Sequence, residues 1–247
     1  MTGRFPLVDR QPLRLPLLDK RASGMWHTLC DLSEVRPGGW SLIGAQMVLL
    51  HGLEHGQTPP RASEDLDALI DVRLVSGAVR SFVAELANLG FELEGADPDG
   101  VAHRYRRAGI SVDVLAPDGL GRRADLTTTP PGRTIAVPGG TQALQRSELV
   151  PILHEDRHAT VARPSLLAAI VLKACAVDVD DVPDAQRVDL AFLLGLVDDP
   201  IAVRDQMTGK DRKRLRARHE LGDPAHPAWA ASGARERGLA ALELLLG

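Results

Sequence analysis

The stretch Pro60-Arg-Ala-Ser-Glu-Asp-Leu-Asp-Ala-Leu-Ile-Asp-Val72, PRASEDLDALIDV, decides how the chain is read. Leu66, Ala68 and Ile70 alternate with Asp65, Asp67 and Leu69, the period of two that marks a strand with one packed face and one polar face. On such a strand Asp65 and Asp67 project together, about 7 Å apart at the backbone; on a helix they would diverge by roughly 200°. Two carboxylates held that close repel each other unless a cation sits between them. Either they are solvent-facing acids on an edge strand, or a divalent ion with oxygen ligands resolves the conflict.

Working outward, Ser41-Leu42-Ile43 reads as a short apolar strand, Gly44 as a turn, and Ala45 to His55 as a helix carrying Met47, Val48, Leu50 and Leu53. A strand, a glycine turn and a helix start place backbone N–H groups where they can hold phosphate. Downstream, Val79, Phe82, Val83 and Leu86 recur at helical spacing and Gly90 follows them, predicting an amphipathic helix that ends on a C′ glycine. Val101–Arg106 and Ile110–Leu115 read as a hairpin about Ala108-Gly109, with Ile110, Val112 and Val114 on one face and Asp113 on the other. Residues 117–140 are a Pro-, Gly-, Arg- and Thr-rich loop with one short strand at Thr134–Val137, followed by a helix near Thr141–Leu144. After Arg163-Pro164, Leu166, Leu167, Ile170, Val171 and Ala174 make an apolar stripe on a helix opened by the proline, and the remainder is helical in pattern. The reading is an α/β (α+β) protein: an N-terminal arm over 1–38, with a short helix near Met25–Leu32, a mixed-sheet core over 39–155 and a helical domain over 156–247.

Bulk properties narrow the function. With 247 residues, 44% of them hydrophobic, the chain can bury a real core, while 3% aromatic content argues against a stacking platform for single-stranded nucleic acid. A net charge of −4 leaves no chain-wide electrostatic footprint for nucleic acid. Cys30 and Cys175 fit no metal spacing and read as buried thiols of a reducing compartment. The N-terminus is broken by prolines and charges, so it reads as neither signal peptide nor membrane span, and the expected location is the cytoplasm.

Asp113, on the polar face of a later strand, supplies a third oxygen donor to Asp65 and Asp67, and three carboxylates on adjacent strands suit Mg²⁺ that neutralises a triphosphate. Arg61 and Ser63 stand just before the pair, where an arginine braces either a phosphate or a loop. Lys173 lies at the margin of its helix's apolar stripe, so it reaches a cleft or snorkels to solvent.

These residues resemble the nucleotidyltransferase superfamily, and specifically the AbiEii-type toxin branch of type IV toxin–antitoxin systems. The resemblance is carried by a strand, a Gly-Ala turn, a helix and then Arg-x-Ser-x-Asp-x-Asp, in LIGAQMVLLHGLEHGQTPPRASEDLDALIDV over 42–72. Looser matches are ISVDVL at 110–115, LLAAIVLKACA at 166–176 and RVDLAFLL at 187–194. The resemblance implies a mixed nucleotidyltransferase sheet flanked by helices, then a helical domain, with the active cleft between. It implies that Asp65 and Asp67 bind Mg²⁺, that Gly44, Ala45 and their helix cradle phosphates, that Lys173 contacts the triphosphate, and that Asp189 orients that lysine or approaches the metal. Asp113 would bind metal or help activate an acceptor hydroxyl. Ala45 stands where many members have Ser or Gly, and Ser63 where Thr is usual. The expected activity is Mg²⁺-dependent transfer of NMP from an NTP to an acceptor hydroxyl, either the 3′ end of tRNA or a small molecule such as an aminoglycoside, with a cognate antitoxin as a possible partner. The alternative is a nucleotide- or RNA-binding regulator with a degenerate site.

Two other patterns compete. His51-Gly-Leu-Glu-His55 matches His-x-x-Glu-His of zinc peptidases, but Gly52 and the loop after His55 weaken that helix. Gly209–His219 gathers six Lys/Arg within 210–218, either a steering patch for a phosphate-rich acceptor or a solvated helix face.

Overall fold

The computed structural model describes residues 5–17, 20–61, 63, 65–73, 75–121 and 124–247, with the backbone alone for 20–22. The chain forms two units, one of Met1–Met47 with Ser63–Pro164, the other of Val48–Ala62 with Ser165–Gly247.

In the first unit the elements run β1 (Leu13–Arg14), α1 (Lys20–Val35), β2 (Trp40–Ile43), the first turn of α2 (Gly44–Glu54), β3 (Asp65–Ile70), α3 (Ala78–Asn88), β4 (Glu92–Leu93), β5 (Arg104–Arg107), β6 (Ile110–Pro117), β7 (Ala136–Val137), α4 (Gly140–Gln145), β8 (Ser147–His154) and β9 (Arg157–Pro164). The main sheet has the order β2-β3-β6-β5-β4, with β7 added to the end of β6. It is mixed: β3 runs parallel to β6, whereas β2 on β3 and β5 on β6 are antiparallel. The α3 helix ends as its glycine predicts, with Gly90 at φ 83° and the Phe91 N–H returning to the Leu86 carbonyl at 2.9 Å, a Schellman closure.

Side-chain alternation gives the sheet two different faces. Leu66, Ala68 and Ile70 of β3, with Val112 and Val114 of β6, are buried and form the apolar one. Burying each such side chain contributes roughly 1.5–3 kcal/mol for the larger residues. Both α1 and α3 pack on β3 and β6, bringing Met25, Trp26, Leu29, Phe82 and Leu86 to full burial.

The structure refines or corrects the reading at four points. First, Asp113 does share the face of Asp67, opposite Val112 and Val114, but β6 is buried along its whole length, so that polar face is covered there. Second, residues 147–164 are a hairpin, β8 with β9, joined by β1 in a separate three-stranded sheet, so residues 157–164 do not start a helical half. Pro151 inside β8 hid the pattern, since proline ordinarily argues against a strand. Third, Pro164 closes β9 and does not open the next helix; Ser165 caps it, its side chain accepting from the Ala168 N–H. The stretch read as an arm contains the 16-residue α1 in place of a short helix, and Trp26, Leu29 and Leu32 make it part of the core.

The second unit is helical: the rest of α2, then α5 (Leu166–Ala176), α6 (Pro183–Gly195), α7 (Pro200–Gln206), α8 (Gly209–Arg216), α9 (Pro227–Ser232) and α10 (Arg235–Leu246), with a 3-10 turn at His219–Gly222. Leu190, Leu193, Leu194, Trp229 and Leu245 are buried at its centre, and the Trp229 indole N–H is satisfied by the Leu221 carbonyl at 3.1 Å. Cys30 and Cys175 are buried free thiols, as expected; burial pushes the Cys30 thiol up. Among the described residues, no helix is long and apolar enough to cross a membrane.

Candidate active site

Strand register assembles the acids. Asp65 and Asp67 lie on one face of β3, half-buried, and in the parallel ladder Asp67 is the partner of Asp113 and Asp65 of Ser111. Registered neighbours share a face about 5 Å apart. On the other side of β6, Arg104 pairs with Asp113 and Arg106 with Ser111. The polar face of the sheet therefore carries two rows, Asp67–Asp113–Arg104 and Asp65–Ser111–Arg106.

Gly44 forms the wall beside the first row. Ile43 pairs with Asp67 across β2 and β3, so the turn into α2 passes directly over the Asp67 side chain. A Cβ built on Gly44 would lie 1.7 Å from Asp67 Oδ2, and Gly44 has φ 70°. Space and backbone conformation thus both demand glycine. The Asp67 carboxylate packs against the N-terminus of an 11-residue helix, where unpaired backbone N–H groups and the helix dipole favour negative charge. Gln46, in the first turn of that helix, is buried and donates its side-chain N–H to the Ser63 carbonyl, while the Ser63 hydroxyl accepts from the Asp65 N–H at 3.3 Å. The segment leading into β3 is thereby tied to the N-terminal end of α2, and Ala45 sits half-buried in the same turn.

Arg104 is the member of the site that motif reading missed. Its Nε and Nη2 each donate to one oxygen of Asp113, both at 2.7 Å, in the bidentate fork that guanidinium and carboxylate form best. Those hydrogen bonds to Asp113 raise the Arg104 pKa above its ordinary value, and the charges of Asp113 and Asp65 add to the effect against burial. A signal existed: Ala108 and Gly109, at φ 49° and 83°, make a two-residue hairpin turn, which sets residue 104 opposite residue 113.

Elsewhere, in the second unit, Arg61, Lys173 and Asp189 form a separate knot. Arg61 Nε and Nη2 donate to the two Asp189 oxygens at 2.9 and 2.8 Å, and Lys173 Nζ lies 2.7 Å from Asp189 Oδ2 and 2.8 Å from Gln186 Oε1. Lys173 and Asp189 are 3% and 1% exposed. Burial alone would push the Asp189 carboxyl up, but the Arg61 hydrogen bonds and the Lys173 charge together hold it below the usual carboxylate range.

The competing patterns do not assemble. His55 Nδ1 donates to the His51 carbonyl at 2.9 Å, and among the described residues His51, Glu54 and His55 do not converge as metal ligands. Within the basic run, Arg218 is buried and ion-paired to Asp178 at 2.7 Å, while Arg212 and Arg216 donate to the carbonyls of Arg204 and Leu246. Part of that charge is committed to structure.

With this geometry in view, the chain superposes on an antigenic nucleotidyltransferase-like protein from Paracoccidioides brasiliensis with a TM-score of 0.51 at 14% identity, over 89% of this chain and 95% of that one. The fold is nucleotidyltransferase-like. A solution structure of the antibiotic-resistance factor ANT(2'')-Ia aligns over 92% of this chain and 97% of that one, at 16% identity and a TM-score of 0.38. No protein-family model and no curated protein matches the chain.

Proposed function

We propose that the chain is a Mg²⁺-dependent nucleotidyltransferase that moves NMP from an NTP to an acceptor hydroxyl. The observation that carries this reading is the contact between Gly44 and Asp67, in which a metal-competent carboxylate lies directly against a helix N-terminus that can take a phosphate. The residues fit the metal: Asp65 and Asp67 offer hard oxygen donors from one strand face, half-exposed so that an ion can enter. When bound, Mg²⁺ supplies neutralisation of the triphosphate and orients its reacting phosphorus.

The chain's own contributions follow from position. Asp65 and Asp67 hold the ion, while the Gly44-Ala45 turn lets phosphate oxygens approach backbone N–H groups without meeting a side chain at Gly44. Asp113 and Arg104 bound the far side of the acidic row, where the guanidinium supplies a fixed positive charge. The proposal rests on residues of the first unit.

A second reading has its own support. Arg104 takes both oxygens of Asp113, so the third carboxylate of the row is already neutralised, which suits a site that binds nucleotide without turning it over. One experiment separates the two. Purified protein is incubated with each labelled NTP, Mg²⁺, and either total RNA or an aminoglycoside mixture. Label transfer that is lost in Asp65→Ala/Asp67→Ala supports the enzyme; Mg²⁺-dependent NTP binding by calorimetry with no transfer to any acceptor supports the regulator. Transfer unchanged in the double variant would defeat the proposal. A tRNA acceptor, the toxin role and a cognate antitoxin are finer versions of the same proposal, and label on the 3′ end of tRNA would select them.

A further inference from the structure

On another part of the first unit, α1 meets the turn between β8 and β9 through His27, His154 and Glu155. Each offers a ligand atom, and these lie within 4.8 Å of one another. His27 Nε2 is 3.7 Å from Glu155 Oε2, and His154 Nε2 is 4.0 Å from Glu155 Oε1. The two imidazoles stand edge to face with centroids 5.0 Å apart. We infer that these three side chains bind one divalent ion of the zinc class, fastening α1 to the β8–β9 hairpin.

The donor set selects the ion. Two imidazole nitrogens and one carboxylate suit Zn²⁺, Ni²⁺ or Cu²⁺, whereas Mg²⁺ prefers an all-oxygen shell of the kind Asp65 and Asp67 offer. Bonds of about 2.0–2.2 Å in a tetrahedral arrangement place ligand atoms roughly 3.3–3.5 Å apart. The ligand atoms here lie within 4.8 Å of one another, and rotation of the half-exposed His27 and Glu155 side chains, 37% and 48% accessible, would bring them to bonding separation. Water fills the fourth position and the same exposure provides the entry path.

His154 adds an independent observation. It is fully buried, its Nε2 meets the Ser23 hydroxyl at 3.1 Å, and its Nδ1 has no hydrogen-bond partner among the described residues. A buried ring nitrogen left unmatched is a cost, and it is offset when that nitrogen is the one that ligates. The adjacent cation does not fill the place of an ion: Arg157 is engaged by Asp31 and Glu34, both at 2.8 Å.

The test uses the full chain stripped with chelator. Titration with ZnCl₂ should bind one ion per chain at this site and raise the melting temperature, and Co²⁺ in its place should give the intense visible absorption of a four-coordinate site. His27→Ala and Glu155→Gln, both changes at accessible side chains, should each weaken this binding at least about tenfold while melting like the parent chain in chelator. Asp65→Ala/Asp67→Ala should retain it, and MgCl₂ at equal concentration should not reproduce it. The inference is overturned by the absence of Zn²⁺ binding, by binding that His27→Ala and Glu155→Gln leave intact, or by binding lost only in the Asp65/Asp67 variant.

Discussion

The chain holds two clusters of acid and base that differ in one respect. In the helical unit Asp189 is closed on all sides: Arg61 and Lys173 neutralise it and Gln186 completes the lysine. In the sheet unit Asp65 and Asp67 share a face at half burial, and Arg104 is committed to Asp113 on the next strand. A closed cluster holds a fold together. A half-exposed pair of like charges beside a helix N-terminus is instead placed where a metal–triphosphate can approach.

The widest separation between the clusters should appear in Asp65→Ala/Asp67→Ala: transfer activity falls by about 10³-fold or more, while urea unfolding shows stability unchanged or slightly raised because a like-charge pair is gone. Asp189→Ala should do the reverse within its own unit. It leaves the buried Lys173 without its carboxylate and removes the acceptor of the Arg61 fork, at a cost of about 3–5 kcal/mol by urea denaturation. Were that loss under about 1 kcal/mol, the knot would not be structural.

Gly44→Ala comes next, since a Cβ there meets Asp67 Oδ2 and the left-handed backbone adds roughly 1–2 kcal/mol of strain. Weakened NTP binding in calorimetry should accompany that destabilisation, whereas Gly209→Ala, at a position open to solvent, should leave NTP binding unchanged. Acid pH sharpens the comparison further. Asp189 has its folded pKa depressed, so its stabilisation is complete above the unfolded carboxylate value of about 4 and is lost as pH falls below that through the folded value. Unfolding free energy measured against pH should therefore fall below about pH 4, and Asp189→Asn should flatten part of that slope. The smallest expected effect belongs to Arg104→Ala, which frees Asp113 and should tighten Mn²⁺ binding a few-fold, read by the paramagnetic signal of free Mn²⁺. Unchanged Mn²⁺ affinity would mean Arg104 does not compete with cations.

Legibility in the sequence followed the range of the forces involved. The β2–Gly44–α2 unit, the acidic strand, the α3 stop at Gly90 and the Ala108-Gly109 hairpin were readable because periodicity and turn chemistry are local. The β8–β9 hairpin was not, because Pro151 contradicts strand propensity and the pairing with β1, more than a hundred residues away, outweighs it. Arg61, Lys173 and Asp189 were each singled out by type and position, yet their ion-pair knot joins residues distant in sequence that no spacing connects.

By itself the sequence determined which backbone segments alternate, turn and coil, and that Asp65 and Asp67 share a face, since those outcomes depend on neighbours within a few residues. Only the tertiary structure decided that Gly44 lies against Asp67, that β6 is covered so that Asp113 needs Arg104, and that His27 meets His154 and Glu155. Those contacts follow from strand register and helix docking, in which burial of apolar surface contributed by the whole chain selects which side chains become neighbours.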